Sequence, residues 1–453
     1  MQSYINMKKI NYLNMLTKLS KILILFCYSS ICLSTQIITD QEMQDGLEKL
    51  VAPIVKLSGI SNLKIHILHD NDINAFTAGG NVLYINSGCL RQLLDPNMII
   101  AITAHEMGHI KRHHVSRKRI EIKDLKYEMY STLALGILAG MNLGIDIYEG
   151  VIAAGMTITE GGFLKNSRAM ENSADQYACH LLTQANINPQ SLIDFFTYLT
   201  KIERGMNLKP YTNTHPLSTQ RSEFTQRCTD NFENTKQNRP ASSHDVIFFK
   251  RIQLKLDAFF TDKIDSMLKN FENDNSNNAK YVRSILYFRL KKFQKAIKLA
   301  NDLVAQEPNN PYFYEWQGQL LFNLHQYDKS LACYKKALQL LPNAHLIVLE
   351  KIRVELEINS KPRDYITTEI YDVLSKYPNN FLAYRLLITY GDKAKDEATK
   401  YYATSRTYAL IGKKGMTTQF INLALSKAKQ YSPIWYKIKD FMEEMKTMNF
   451  SKS

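Results

Sequence analysis

TAHEMGH, residues 103–109, is the stretch of this 453-residue chain that decides its fold. Positions i and i+4 of a helix lie one above the other, so His105 and His109 face the same way and can share one tetrahedral metal ion. Glu106 lies beside them, within reach of a water on the open position of that ion. The pattern predicts a helix that carries a hydrolytic zinc site, with one Zn²⁺ per chain. The alternative is a solvated helix with two unrelated histidines.

The residues around this motif predict the limits of its helix. Asp95 can accept from the free N–H groups of the first turn, where Pro96 is also tolerated. The apolar run from Met98 to Ile102 predicts deep burial. We expect the helix to continue through His114, a packing or hydrogen-bonding residue rather than a ligand.

A catalytic zinc site keeps three protein ligands, so a further donor must come from elsewhere in the chain. The segment SRAMENSAD, residues 167–175, reads as a helix on which Glu171 and Asp175 share one face. We assign Glu171 as the third ligand. Asp175 is then an outer carboxylate that accepts the free ring N–H of a zinc histidine. An ordinary charged helix face is the alternative.

The chemistry that these residues predict is metal-assisted peptide hydrolysis. Glu106 takes a proton from the attacking water and later returns it to the leaving amine. Loss of Glu106 should therefore remove the chemistry and spare the metal.

Two apolar runs precede the metal motif. Residues 63–68 alternate like a half-buried strand, and residues 82–86 form a second short run after Gly79-Gly80. Together they predict a β-hairpin packed on the zinc helix. Between them, Asn74-Ala75-Phe76 is either an edge strand or a plain loop that closes the core.

Five spaced motifs follow one another along the chain: Asn74-Ala75-Phe76, Gly79–Asn86, His105–His109, Arg168–Asp175, and Thr214-His215-Pro216 with Arg221. In this order they resemble the HtpX and CAAX-prenyl-protease gluzincins, in particular their soluble periplasmic BepA-type branch. The resemblance implies an α+β zinc metallopeptidase domain with a small sheet.

The same resemblance implies roles for five further residues. His215 would lie over the metal, either as a catalytic group that stabilises the oxyanion or as a fourth ligand that keeps the enzyme inactive. Resemblance to the BepA-type branch favours the second role. Asn74, Ala75 and Phe76 would bind substrate by strand addition. Arg221 would support the His215 loop or bind a substrate carbonyl.

The N-terminus has the composition of a secretory signal peptide. Lys8, Lys9, Lys18 and Lys21 precede a short apolar run, and small residues follow up to Ser34. We predict cleavage after Ser34 and export to the periplasm, with an uncleaved membrane anchor as the alternative.

The periplasm is oxidising, so disulfides could form among the four cysteines that follow the signal peptide: Cys89, Cys179, Cys228 and Cys333. Cys179 could instead be a buried apolar residue.

Residues 132–141 and 151–156 are apolar but too short for a membrane span. We interpret them as a pair of mobile helices that cover the active site or touch a membrane surface.

Hydrophobic residues make up 45% of the chain, which excludes a disordered protein. The formal charge of +14 fits anionic surfaces or a solvated basic surface, and with no nucleic-acid motif present we predict no nucleic-acid partner.

The second half of the chain predicts a helical repeat. Pro308 and Pro342 are 34 residues apart, as are Phe293 and Tyr327, and this is the tetratricopeptide period. We predict a peptidase domain at 35–230, a linker with connecting helices at 231–275, and about four helix pairs at 276–445. The fold class is mostly α. The array is either a protein-docking surface or a stabilising appendage.

By resemblance, the chain would be a periplasmic zinc endopeptidase that cleaves misfolded or stalled outer-membrane proteins. Its repeat domain would dock onto the outer-membrane assembly machinery, and chaperone activity would accompany proteolysis. Two alternatives are a chaperone or adaptor with a latent zinc site and a membrane-embedded quality-control protease.

Overall fold

A computed structural model describes residues 36–77, 80–93, 95–114, 151–153, 168–204, 215, 219–233, 243–359 and 364–447. The signal peptide predicted at 1–34 and the apolar stretch 132–141 lie outside these ranges. Residues 35–453 form one compact unit. The unit is mostly helical with one small sheet, which confirms the predicted fold class.

The described strands form a five-stranded sheet in the order β3-β4-β2-β1-β5. They are β1 (Gln36–Ile38), β2 (Lys64–His69), β3 (Ala75–Thr77), β4 (Val82–Asn86) and β5 (Val151–Ala153). β2 and β4 pair in parallel, whereas the other neighbours are antiparallel.

The predicted hairpin of residues 63–68 with 82–86 is wrong, because β2 and β4 run parallel. The hairpin is instead formed by β3 and β4, with Phe76 stacked on its cross-strand partner Tyr84. β3 lies between the two runs in sequence and reverses the chain. Apolar alternation shows which residues face the core, but it does not show which strands are neighbours.

A second correction concerns the apolar stretch 151–156, which we expected to be helical. Its first three residues, Val151–Ala153, form β5 at the β1 edge of the sheet. A run this short does not distinguish helix from strand, and Val and Ile favour a strand.

Six helices of the described residues accompany the sheet: α1 (Gln41–Ser58), α2 (Ser87–Gln92), α3 (Pro96–Lys111), α4 (Arg168–Gln184), α5 (Gln190–Glu203) and α6 (Thr219–Glu233). α3 lies at the centre and packs against α1, α4, α5, β3 and β4. Its start is as predicted, because the Asp95 side chain accepts from the Asn97 N–H and Pro96 is in the first turn.

The end of α3 differs from the prediction. The helix ends at Lys111, and His113 takes the left-handed conformation with φ of 55°. This conformation reverses the chain, as at many helix C-termini. His114 is therefore brought back towards the helix, where it is buried.

Twelve further helices of the described region follow: α7 (Ser243–Phe260), α8 (Ile264–Asn270), α9 (Asn277–Arg289), α10 (Phe293–Gln306), α11 (Pro311–Asn323), α12 (Tyr327–Leu340), α13 (His345–Ile358), α14 (Tyr365–Lys376), α15 (Phe381–Ala394), α16 (Glu397–Leu410), α17 (Lys414–Lys427) and α18 (Pro433–Thr447). From α9 onwards they form pairs, each packed on the next. α7 contributes Phe249, Ile252 and Leu256 to the core of the first half and Phe259 to that of the array.

The array also contacts the first half through α1. The hydroxyls of Tyr281 on α9 and Tyr312 on α11 donate to Glu42 and Asp45, at 3.2 and 2.7 Å. On α13, the N–H of Leu346 donates to the Gln41 side chain at 3.0 Å. The N-terminal half of α1 thus lies against the first helices of three successive pairs. No helix in the described part of the chain is long and apolar enough to cross a membrane.

Candidate metal centre

A glycine allows the two helices of the metal centre to approach each other closely. A Cβ at Gly108 of α3 would lie 2.9 Å from both the Cα and the carbonyl oxygen of Ala174 on α4. Only glycine fits at this distance. As a result, His105 and His109 on α3 come next to Glu171 on α4, as the helical periodicity of both segments requires.

Three side chains converge at this contact, and all three are buried. The Nε2 atoms of His105 and His109 are 3.1 Å apart. The Glu171 carboxylate reaches both, with one oxygen 3.3 Å from His105 Nε2 and the other 3.3 Å from His109 Nε2.

His215 brings a fourth donor to the same place. Its Nδ1 atom lies 3.4 Å from His105 Nε2 and 3.1 Å from a Glu171 oxygen. The neighbours in its motif, Thr214 and Pro216, lie outside the described residues.

This set of donor atoms fits zinc. Four ligands at about 2.1 Å in a tetrahedron are separated by about 3.4 Å, and the observed separations are 3.1 to 3.4 Å. Two or three imidazoles with one carboxylate are also the donor types that zinc selects in catalytic sites.

Glu106 is part of the cluster but differs from Glu171. Ligand atoms of His105, Glu106, His109 and His215 lie within 4.8 Å of one another. A Glu106 oxygen lies 3.5 Å from His215 Nε2, the ring nitrogen that is not the one contacting His105 and Glu171. Both Glu106 oxygens are buried and lack a hydrogen-bond partner among the described residues. Glu171, in contrast, contacts the Nε2 atoms of both motif histidines.

Electrostatics favour the charged form of Glu171 and oppose that of Glu106. Burial tends to raise the pKa of Glu171, but His215 and the hydrogen bonds from the three histidines hold this pKa well below its usual range. For Glu106, burial raises the pKa, and His215 and His105 only partly offset it. A carboxylate with a raised pKa is suited to taking up a proton.

Each of the two motif histidines has a partner at Nδ1, the ring nitrogen that faces away from the donor set. His105 Nδ1 lies 2.8 Å from Asp175 Oδ1, and His109 Nδ1 lies 3.0 Å from His114 Nδ1. Such contacts fix the ring orientation and leave Nε2 for a metal. The contact to Asp175 is as expected, whereas the partner of His114 could not be predicted from the sequence.

The pKa values of the two rings are shifted in opposite directions. Burial would lower the pKa of His105, but its hydrogen bonds to Asp175 and Glu171 outweigh burial and raise this pKa to about 10. For His109, burial prevails and lowers the pKa to about 3, despite a hydrogen bond with Glu171. Since a ligand must present a free lone pair, protonation and metal binding compete at His105.

Arg221 is fully buried behind the donor set. Its guanidinium binds both oxygens of Asp175, at 2.5 and 2.9 Å, and a Glu171 oxygen at 2.9 Å. It also donates to the His215 carbonyl at 3.4 Å. Of the two roles predicted for Arg221, these contacts favour support of the site over binding of substrate.

The predicted substrate strand is present but is mostly buried. Ala75 and Phe76 belong to β3 and Asn74 directly precedes it, which resolves the choice between strand and loop. β3 is the outermost strand next to α3, and its outer edge is unpaired in the described part of the chain.

The cysteines provide a contact that spacing did not reveal. Cys179 on α4 and Cys228 on α6 form a disulfide with Cα atoms 6.4 Å apart, so Cys179 is not merely an apolar residue. Cys89 and Cys333 carry no disulfide in the described structure.

Comparisons with known proteins agree with this architecture. Residues 40–228 match the model of Peptidase family M48, and residues 311–344 match that of a tetratricopeptide repeat. The chain is 25% identical over 260 residues to a putative beta-barrel assembly-enhancing protease of Vibrio cholerae, covering 54% of this chain and 51% of that protein. This match therefore spans about half of the relative's length.

Two further relatives come from Escherichia coli. A beta-barrel assembly-enhancing protease is 21% identical over 415 residues, covering 87% of this chain and 81% of that protein. Metalloprotease LoiP is 29% identical over 165 residues, covering 36% of this chain and 60% of that protein.

Proposed function

We propose that the chain, whose residues 40–228 match Peptidase family M48 and whose residues 311–344 match a tetratricopeptide repeat, is a zinc-dependent endopeptidase of the periplasm. Its substrates are misfolded or stalled outer-membrane proteins. The names of the relatives support this substrate class, since several are beta-barrel assembly-enhancing proteases.

One observation carries the enzymatic part of the proposal. Donor atoms of His105, His109 and Glu171 form a buried set with the spacing that zinc requires. Beside them, the Glu106 carboxylate has no hydrogen-bond partner in the described structure. A purely structural zinc site needs no such group.

Bound zinc would supply a Lewis acid that polarises the scissile carbonyl and activates water. Glu106 accepts the proton of that water and delivers it to the leaving amine. Asp175 and His114 keep His105 and His109 in the tautomer and orientation that ligands need. Arg221 offsets part of the negative charge of the two buried carboxylates and so limits repulsion between them.

For His215 we propose the role of a reversible fourth ligand. Its Nδ1 atom lies among the donor atoms, where substrate would otherwise approach. Substrate must displace this ring, so the resting enzyme is inhibited by its own side chain. An oxyanion stabiliser would instead face the substrate without occupying the donor set.

The substrate backbone would pair with β3. Strand addition uses main-chain hydrogen bonds and therefore accepts many sequences. This suits an enzyme that removes damaged proteins with no common sequence. Ala75 and Phe76 lie in this strand, Asn74 directly precedes it, and α3 packs against it.

The repeat array would dock protein partners, with the outer-membrane assembly machinery as the partner we propose. Stacked helix pairs present a long curved surface suited to protein segments. Chaperone activity would follow from holding unfinished chains on this surface.

The proposal is tested with purified residues 35–453 and an unfolded outer-membrane barrel or casein. We expect cleavage by the wild type, a higher rate for His215→Ala, and no cleavage by Glu106→Gln, which should keep its zinc. Glu443→Gln on α18, whose side chain is 70% exposed, is the matched control and should cleave normally. If the wild type and His215→Ala both hold zinc and neither cleaves, the chain is an adaptor rather than a protease.

A further inference from the structure

The Cys179–Cys228 disulfide joins α4, which carries Glu171 and Asp175, to α6, which carries Arg221. Its Cα–Cα distance of 6.4 Å is within the usual range for disulfides. On α4, Glu171, Asp175 and Cys179 follow one another at intervals of four residues. They therefore lie on one stripe of the helix, with the disulfide one turn beyond Asp175.

α6 presents a matching stripe. Arg221, Thr225 and Cys228 are spaced by four and three residues, and all three are buried. The hydroxyl of Thr225 bonds to the Arg221 carbonyl of its own helix, at 2.9 Å. Two connections between α4 and α6 thus lie on the same interface: the Arg221 ion pairs and the disulfide, which is one turn beyond Asp175 on α4 and about two turns beyond Arg221 on α6.

The ion pairs depend on the position of α6. Arg221 reaches Asp175, Glu171 and the His215 carbonyl at once, and its guanidinium lies 4.8 Å from the ring centre of Phe196. A shift of α6 along α4 would break several of these contacts together. Such a shift would leave buried charges without partners. This is strongly destabilising, so the side chains of the metal centre would rearrange.

We infer that the Cys179–Cys228 disulfide is a positioning element of the metal centre: by fixing α6 to α4 it holds Arg221 on Asp175 and Glu171, and so sets how tightly the chain retains its metal. The inference rests on the zinc site of the proposed function. Cys179 and Cys228 act through Arg221 and do not touch the metal ligands themselves.

The consequence is a dependence of metal retention on redox state. Opening the disulfide needs two electrons and two protons, which a dithiol reductant supplies as it becomes a disulfide itself. The products are two thiols, one on α4 and one on α6. Formation of the bond by a disulfide donor runs the same exchange in reverse. The chain would then retain zinc tightly only in an oxidising compartment, because the disulfide forms there.

The test measures the rate at which zinc leaves the full mature chain, with a chromogenic chelator in excess. Dithiols bind zinc, so the disulfide is removed by the double variant Cys179→Ala/Cys228→Ala instead of by reduction. We expect release on the order of 10-fold faster than in the wild type, the lower end of the effect of losing an outer-shell partner. Cys333→Ala, on α12 and without a disulfide, is the matched control and should release zinc at the wild-type rate.

A second background separates positioning from a general loss of stability. In Arg221→Lys, the guanidinium contacts are already disturbed, so removing the disulfide should add less than a 2-fold effect. If the disulfide acts by general loosening, its full effect will persist in this background. Equal release rates in the wild type and the double variant would also overturn the inference. A wild type that binds no zinc would instead overturn the proposed function.

Discussion

Asp175 Oδ1 lies 2.8 Å from the Nδ1 atom of His105, and both groups are buried. The contact fixes the proton of the neutral ring on Nδ1 and leaves the lone pair of Nε2 for a metal. The same carboxylate accepts two hydrogen bonds from Arg221. One aspartate therefore links a predicted ligand to the helix that follows His215.

Replacing Asp175 with Asn should weaken zinc binding by about 10- to 100-fold. An amide can present its N–H₂ group to His105 and so favour the wrong tautomer, and it leaves Arg221 with one buried carboxylate fewer. Competition with a chelator of known affinity measures the effect. Asp194→Asn on α5, where the carboxylate binds only Gln190 in the described structure, is the control; equal affinity in the two variants would contradict the role of Asp175.

Replacing Gly108 with Ala should separate α3 from α4, because the new methyl group would lie 2.9 Å from the Ala174 backbone. We expect a loss of about 1–3 kcal/mol in unfolding free energy, together with poorer zinc retention. Urea unfolding and metal analysis report the two effects. Gly415→Ala on α17, where an added Cβ has no atom within 4 Å, should be neutral or slightly stabilising. Unchanged stability of Gly108→Ala would show that the helices tolerate a wider spacing.

Removing the Cys179–Cys228 disulfide should lower the unfolding free energy by about 4 kcal/mol, the loop-closure value for this separation. The two cysteines are 49 residues apart, so the intact bond strongly restricts the unfolded chain. Urea unfolding of Cys179→Ala/Cys228→Ala beside Cys333→Ala measures it. A loss no larger than that of the control would mean that the two cysteines are not bonded in solution.

Replacing Glu42 with Gln should weaken the junction between α1 and the array. Glu42 binds Lys255 Nζ at 2.9 Å and the Tyr281 hydroxyl at 3.2 Å, and Lys255 is 4% exposed. Loss of one partner leaves the buried ammonium group with Asp40 as its remaining salt-bridge partner in the described structure, which should cost about 3 kcal/mol. Glu48→Gln, exposed on the same helix, should change stability by less than about 0.5 kcal/mol. If the two variants unfold alike, the junction does not contribute to stability.

Helical periodicity accounts for the part of the site that the sequence revealed. His105 with His109, and Glu171 with Asp175, are each four residues apart, and the structure places each pair on one helix face. The tetratricopeptide period of 34 residues similarly depends on local helix pairing. These features follow from spacing along one chain segment.

The features that the sequence missed depend on tertiary structure. His114 reaches His109 because the non-glycine residue His113 adopts a left-handed conformation, which has no strong sequence signal. Arg221 meets Asp175 across 46 residues, and Cys179 meets Cys228 across 49. The parallel pairing of β2 with β4 requires β3 to be recognised as a strand, and three residues are too few for a periodic signal.

The zinc content of purified residues 35–453, measured by mass spectrometry, tests the central claim most directly. We predict one zinc per chain in the wild type and in Glu106→Gln, and little or none in Glu171→Gln and His109→Ala, with circular dichroism confirming that each variant is folded. A wild type without zinc, or a Glu171→Gln variant that binds zinc as tightly as the wild type, would contradict the proposed metal centre.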